Sequence, residues 1–117
     1  MIILKRIYEP YSKSDGFRIL VDRLWPRGVS KDKAKIRLWL KDIGPSNELR
    51  KWFGHEVRNW SAFKQKYRQE LKHKSELLKE LRRLQKKHKK ITLLYGAKDK
   101  KHNEAVIIAE TLNRSRL

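Results

Sequence analysis

The side chains best suited to chemistry lie at the end of an apolar segment, residues 17–24, where charged residues appear. Residues 22–28 read Asp-Arg-Leu-Trp-Pro-Arg-Gly. Neighbouring residues on a strand face opposite sides of a sheet, so Asp22 and Arg23 do not neutralise each other across one face. An arginine offers a planar fork of donors that suits phosphate or carboxylate. Arg23 and Arg27 therefore make this segment a candidate anion site.

The same segment has a purely structural interpretation. An ion pair between Asp22 and Arg27 would fix the turn at Pro26, with Trp25 in the core. Trp25 and Gly28 are candidate ligand-binding residues under the first interpretation and turn residues under the second. The residue types alone leave both open.

A second candidate segment precedes the last predicted helix. Cations crowd residues 98–102, where the positive end of a helix dipole makes each of them unfavourable by about 0.3–1 kcal/mol at low salt. Free backbone N–H groups together with added cations form an anion receptor. Alternatively, an Asp or Asn in this segment is simply the helix N-cap. The candidate residues here are Tyr95, Lys98, Asp99, His102 and Asn103.

Four segments with strand character must position these loops. Residues 2–8 and 17–24 are rich in aliphatic side chains, residues 33–43 contain a short alternating pattern, and residues 91–95 form a continuous apolar run. Runs of this kind are typical of strands that are covered on both faces.

Helical spacing fills most of the remaining chain. Ser46 is a typical N-cap and Gly54 a typical helix stop, and Asn59 can cap the next helix. Apolar side chains then recur at helical spacing, as they do again in residues 77–84 and 105–112. The clearest stripe consists of Trp60, Phe63, Tyr67 and Leu71.

These elements predict an α/β fold: a layered, small, largely parallel sheet of three to four strands flanked by four helices, forming one domain over residues 1–117. Ligands of open α/β sheets bind beyond the carboxyl ends of the strands. If the strands ending at Leu24 and Tyr95 are parallel neighbours, the two candidate segments share one crevice.

The composition is strongly basic. Thirty-one Lys and Arg stand against 13 Asp and Glu, a net charge of +18. Such an excess favours polyanions, nucleic acid included, although a solvated basic surface explains it as well. The chain has no cysteine, which excludes disulfides and thiol nucleophiles, and no apolar run near the ~20 residues of a membrane span. We therefore expect a cytoplasmic protein with no membrane partner, no metal site and no cofactor.

Several stretches resemble the YeaO-like family, small proteins classed as a domain of unknown function. The resemblance runs almost the whole length and implies an α/β layered fold and cytoplasmic residence, without supplying an activity. More distant relatives carry cysteines near the last strand, so a thiol or rhodanese-like mechanism is not carried over to this cysteine-free chain. The matching residues are 15–18, 21–28, Ser46, 48–50, Phe53, Trp60, Phe63, Tyr67, 70–71, 92–95, 97–98, Asn103 and Ala105.

Three hypotheses for function follow. The first is a pocket for a small phosphate or carboxylate ligand, with Asp22, Tyr95, Asp99 or His102 as proton-transfer groups if the protein is an enzyme. The second is a basic nucleic-acid-binding module that uses the helices spanning residues 59–90. The third is an interaction protein without pocket chemistry. Whether the protein is an enzyme stays open at this stage.

Overall fold

The computed structural model describes residues 1–114 and contains one sheet of four parallel strands. The strands are β1 (Ile2–Arg6), β2 (Phe17–Leu20), β3 (Leu38–Trp39) and β4 (Ile91–Tyr95), in the spatial order β1-β4-β2-β3. The predicted α/β class and parallel sheet are confirmed.

The spatial order of the strands places β4 in the interior of the sheet, between β1 and β2. All five of its residues are buried, as expected for an apolar strand with a neighbour on each side. Ile2–Arg6 pair in register with Ile91–Tyr95 on one side, and Phe17–Leu20 pair with residues 91–94 on the other. Because β2 and β4 are parallel neighbours, their carboxyl ends meet at one edge of the sheet.

Five α-helices lie in the described part of the chain. They are α1 (Lys31–Ala34), α2 (Asn47–Phe53), α3 (Trp60–Lys72), α4 (Ser75–His88) and α5 (Glu104–Arg114). Short 3-10 turns cover Lys13–Asp15, Lys41–Ile43 and Val57–Asn59. The last four helices are the predicted ones, and α1 is an additional single turn.

The two faces of the sheet carry cores of different size. Ile19 and Leu93 face the larger core, which includes buried residues of α2 to α5. Their neighbours Leu20 and Leu94 face a smaller core formed with Ala34. This alternation is the two-residue period of a strand, and it makes the molecule a three-layer structure with one thin layer.

The strands are shorter than the apolar runs predicted. β2 ends at Leu20 rather than at residue 24, because after the Val21 N–H donates to the Leu94 carbonyl the chain turns out of the sheet. β1 likewise ends at Arg6, and the ambiguous stretch 33–43 divides between the end of α1 and the two-residue strand β3.

A buried ion cluster ties β1 to β2 at their connection. Asp15 accepts hydrogen bonds from Lys5 at 3.0 Å and from Arg18, whose side chain is 2% exposed. Burial alone would raise the pKa of Asp15, but hydrogen bonds from Lys5, the Ser12 N–H and Arg18 hold that pKa below its ordinary value. The charge of Arg18 is therefore compensated inside the protein.

Candidate functional site

A cavity of about 260 Å³ opens at the carboxyl ends of β2 and β4. We call it the edge cavity. This is the place where open α/β sheets bind their ligands. Its lining consists of Tyr8, Asp22, Arg23, Leu24, Trp25, Pro26, Pro45, Arg50, Phe53, His55, Phe63, Gly96, Ala97, His102, Asn103 and Glu104.

Two carboxyl groups meet in the wall of the edge cavity. Asp22 follows β2 and accepts a 2.8 Å hydrogen bond from the Gly96 N–H, just after β4. The first residue of α5, Glu104, shares a hydrogen bond with Asp22. Burial, followed by the negative charge of Asp22, raises the pKa of Glu104 well above its ordinary value. The pair therefore holds a proton where isolated carboxyls would both be ionised.

The start of α5 is capped by its own side chains. The Asn103 Oδ1 accepts from the Val106 N–H at 3.2 Å, and Asp99 accepts from the N–H groups of Lys101 and His102. Asn103 therefore serves as the helix N-cap. Some of the N–H groups expected to receive an anion thus have internal partners.

His102 is held by contacts on two sides. Its Nδ1 lies 2.8 Å from Asp99 Oδ2, and its ring meets the Trp60 ring edge-on at 5.1 Å. The backbone N–H of Lys101, followed by the His102 side chain, lowers the pKa of Asp99. A carboxylate at Nδ1 fixes the orientation of the imidazole, while His102 as a whole lines the edge cavity.

Helix α2 brings a second set of polar groups to the cavity. Ser46 caps the helix by accepting from the Leu49 N–H at 3.2 Å, as its position in the sequence predicts. Arg50, on the next turn, lines the cavity, and its Nε is buried without a hydrogen-bond partner. Gly54 and His55 both have positive φ, at 54° and 59°, and this left-handed turn places His55 in the lining.

Aromatic rings line the edge cavity beside these polar groups. Phe53 of α2 stacks on Phe63 of α3 with ring centroids 4.3 Å apart, and both line the edge cavity. Trp25, also in the lining, donates from Nε1 to the Val29 carbonyl at 2.7 Å. The cavity therefore combines apolar walls with charged groups.

Arg23 lines the edge cavity but is largely engaged within the protein. Its Nε donates to the Pro45 carbonyl at 2.8 Å and its Nη2 donates to the Gly44 carbonyl at 2.9 Å. An anion bound at this residue, as the sequence predicts, would share the Arg23 guanidinium with these two carbonyls.

The loop before α2 is tied to the neighbouring helices. Tyr67 donates to the Ile43 carbonyl at 2.6 Å, and Lys74 donates to the Gly44 carbonyl at 2.7 Å. Glu70 accepts from both the N–H and the hydroxyl of Ser46, at 2.8 and 2.6 Å. Burial, followed by the positive charge of Arg23, lowers the pKa of Lys74. Polar contacts thus fix where α2 begins and, through it, where Arg50 lies.

The predicted candidates divide into two groups within residues 1–114. Those that line the edge cavity are Asp22, Arg23, Trp25, His102 and Asn103. Those outside its lining are Arg27, Gly28, Tyr95, Lys98 and Asp99.

The second group has other contacts or faces solvent. Arg27 and Lys98 are exposed, as is Gly28. Tyr95 is buried, and burial is the main cause of the raised pKa of its hydroxyl, which hydrogen-bonds Asn103. The sequence suggested an ion pair between Asp22 and Arg27, but Asp22 instead bonds to Gly96 and Glu104. The backbone carbonyl of Arg27 accepts a 2.8 Å hydrogen bond from the Tyr8 hydroxyl.

Sequence reasoning did not select Arg50, His55 or Glu104. Arg50 and His55 flank the C-terminus of α2, and no local pattern shows that this helix end reaches the carboxyl edge of the sheet. Glu104 looks like an ordinary acidic residue in a first helical turn, where it complements the dipole. One usable signal is the Gly54 helix stop, which favours a left-handed turn that brings the exposed His55 to the cavity rim.

No group of three or more His, Asp or Glu in residues 1–114 could hold a metal ion. No helix in that range is long and apolar enough to cross a bilayer.

The comparisons with known proteins agree with one another. A family model described as "Inactive DUF488-N3 subclade" matches residues 1–116. The "Uncharacterized protein YeaO" of Escherichia coli is 45% identical over 108 residues, covering 92% of this chain and 93% of the relative. An uncharacterized protein of Mycobacterium tuberculosis and one of Mycobacterium bovis are each 38% identical, covering 92% of this chain and 90% of the relative.

No solved structure matches the chain. The sequence relationships are sufficient on their own, because they span nearly every residue, including both segments that build the edge cavity. The chain therefore belongs to the YeaO-like family, in the group described as the inactive DUF488-N3 subclade.

Proposed function

We propose that this protein binds a small ligand bearing a carboxylate or phosphate group in the edge cavity. The observation that carries the proposal is the Nε of Arg50, which is buried in the cavity wall and lacks a hydrogen-bond partner. A buried donor left unsatisfied is costly, more so on a charged group, and native proteins rarely leave one without a reason. An anionic oxygen in the cavity would offer the Arg50 guanidinium an acceptor, provided that the side chain turns its buried Nε toward the ligand.

The charge balance of the cavity supports an anion. Arg23 and Arg50 are permanently cationic, and His55 adds an imidazole N–H. The raised pKa of Glu104 keeps this carboxyl protonated to a higher pH than an ordinary glutamate, which reduces the negative charge in the wall.

The size and walls of the cavity indicate what else the ligand carries. A volume of about 260 Å³ lies just below the range of typical ligand pockets, which starts at about 300 Å³, so the ligand must be small. Phe53, Phe63 and Trp25 offer apolar contact to a ring or a short hydrocarbon part. A small aromatic carboxylate or phosphate ester fits this description.

We propose binding rather than a reaction. The family description, an inactive subclade, supports this choice. The proposal keeps Asp22, Arg23, Trp25, His102 and Asn103 as ligand-binding residues and adds Arg50 and His55. It also includes cytoplasmic residence, which a cysteine-free composition favours because disulfides are characteristic of oxidising compartments.

The nucleic-acid module based on residues 59–90 receives less support. It requires exposed aromatic rings on α3 or α4 for stacking. Phe63 and Tyr67 are 2% and 0% exposed, and Trp60 packs against the core. The basic helical face therefore lacks the stacking rings that this hypothesis needs.

Calorimetric titration with inorganic phosphate, benzoate and phenyl phosphate tests the proposal. We expect phenyl phosphate to bind more tightly than phosphate, and Arg50→Gln to weaken it by about tenfold or more, since hydrogen bonds to charged groups contribute roughly 1.5–3 kcal/mol. Arg58→Gln is the matched control, because it removes the same charge from an exposed residue outside the cavity lining.

Two results would overturn the assignment. One is equal weakening in the Arg50 and Arg58 variants, which would mean that net charge alone attracts the anion. The other is unchanged affinity in Arg50→Gln with the fold intact by circular dichroism. Absence of binding by all three probes to the unmodified protein would also count against an anion site.

A further inference from the structure

The sheet ends laterally at β3, and the chain around this strand alternates between core and solvent. Ile36, Leu38 and Leu40 are partly buried. The residues between them are exposed, although only Leu38 and Trp39 belong to the strand: Lys35 has a left-handed backbone and Lys41 begins a 3-10 turn. We call this outward row the β3 edge strip; it consists of Lys35, Arg37, Trp39 and Lys41.

Each cation of the strip lies over an aromatic ring. Lys35 Nζ is 4.8 Å from the centre of the Tyr11 ring, and the Arg37 guanidinium is 5.5 Å from that of Phe17. Lys41 Nζ is 5.5 Å from the Trp39 ring. Tyr11 is 44% exposed and Trp39 is 36% exposed. The strip therefore presents cations beside partly exposed aromatic rings.

The charge around the strip has no internal compensation. Residues 31–41 contain five Lys or Arg, all exposed, against Asp32 alone. Within residues 1–114, every ion pair of the structure involves cations outside this stretch. A partner that supplies negative charge along an extended line would complement it.

Trp39 is held in place rather than free. Its Nε1 donates to the Asp22 carbonyl at 2.8 Å, and its ring meets Trp25 edge-on at 5.3 Å. Trp25 lines the edge cavity, so the strip begins next to the cavity wall. A fixed, exposed indole loses little entropy when a flat partner stacks on it.

Edge lysines also serve to prevent two sheets from pairing edge to edge. That role accounts for the cations but not for the exposed rings beside them. Backbone phosphates neutralise cations, and bases stack on aromatic faces, each base contributing about 1–3 kcal/mol. A single strand can offer both groups along an extended path, whereas a duplex keeps its bases stacked inside.

From this arrangement we propose that the β3 edge strip binds single-stranded nucleic acid, with phosphates on Lys35, Arg37 and Lys41 and a base on Trp39. The site is separate from the anion site of the edge cavity and does not depend on it. It also differs from the helical face of residues 59–90 in offering exposed rings.

Fluorescence anisotropy with labelled oligothymidylate of 20 nucleotides tests the proposal, against a duplex of equal length and against heparin. We expect the single strand to bind at least fivefold more tightly than the duplex. Replacing Arg37 and Lys41 together by Gln should weaken binding and lower the slope of log affinity against log salt by about 1.4, at about 0.7 for each phosphate contact. The matched control is Lys86→Gln with Lys87→Gln, which removes the same charge from exposed residues at the end of α4.

Trp39→Ala separates stacking from charge. We expect a loss of about fivefold or more, largely restored by Trp39→Phe, while Trp52→Ala, an exposed Trp on α2, has little effect. Near-ultraviolet circular dichroism checks that each variant keeps its fold. Equal effects of the two double variants, equal affinity for duplex or heparin, or unchanged binding in Trp39→Ala would each overturn the proposal.

Discussion

The carboxyl groups of Asp22 and Glu104 share a hydrogen bond although 82 positions separate them in the chain. Asp22 also accepts from the Gly96 N–H, so one side chain connects the end of β2, the end of β4 and the start of α5. A Cβ on Gly96 would lie 2.9 Å from Asp22 Oδ2, so the close approach depends on a glycine here. The carboxyl pair is thus part of the framework that shapes the edge cavity.

Glu104→Gln should change how stability depends on pH. The pKa of Glu104 is raised above its ordinary value of 4.5, so its contribution to stability is present below pH 4.5 and is lost as pH rises through the folded pKa. Glutamine imitates the protonated carboxyl at every pH. We expect the free energy of unfolding of Glu104→Gln, relative to the unmodified protein, to increase from pH 4.5 upwards, as measured by urea denaturation.

The control for this experiment is Glu56→Gln, which removes the charge of an exposed glutamate. Its difference from the unmodified protein should stay nearly constant over the same pH range. An offset for Glu104→Gln that does not vary with pH would contradict the shared proton.

Asp15→Asn should be strongly destabilising. The substitution leaves the Arg18 guanidinium buried without its carboxylate, and breaking a buried pair in this way costs about 3–5 kcal/mol. The exposed Asp32→Asn, in the first turn of α1, should cost about 1 kcal/mol at most. Urea denaturation measures both, and a single cooperative transition is expected because we predict one domain.

The pH dependence of this cluster has the opposite sign to that of Glu104. The pKa of Asp15 lies below its ordinary value of 3.8, so its stabilisation is present above that pH and is lost as pH falls through the folded pKa. Asp15→Asn should therefore flatten the acid limb of the stability curve. An acid limb like that of the unmodified protein would show that Asp15 is not held by Lys5 and Arg18.

The elements that local chemistry defines could be predicted from the sequence. The apolar run 91–95 is β4 itself, and Ser46 and Gly54 are the N-cap and C-cap of α2. The parallel sheet and the cavity at its carboxyl edge followed from the alternation of strands and helices. In these segments the local residue types favour a single backbone conformation.

The remainder depends on contacts between distant residues. Nothing within residues 17–24 indicates that β2 stops at Leu20, because the reason lies in Gly44, Pro45 and Gly96, which receive Arg23 and Asp22. The same holds for Arg50, whose place in the cavity depends on how α2 is tied to α3. Arg27 and Lys98 have suitable chemistry, yet their side chains face solvent.

Glu70→Ala tests whether these ties position the anion site. Glu70 accepts two hydrogen bonds from Ser46, and its loss should lower stability by about 2 kcal/mol and free the start of α2. Since Arg50 lies one turn further on, affinity for phenyl phosphate should fall although Glu70 does not line the edge cavity.

Glu70→Gln keeps an acceptor for the Ser46 N–H and should restore most of the stability and of the affinity. Glu80→Ala, which removes an exposed pair with Arg83, should change neither. Hydrogen exchange at residues 46–50 gives an independent measurement, because a loosened α2 exchanges faster. Slow exchange in Glu70→Ala combined with weakened binding would contradict the inference that Glu70 acts by holding α2.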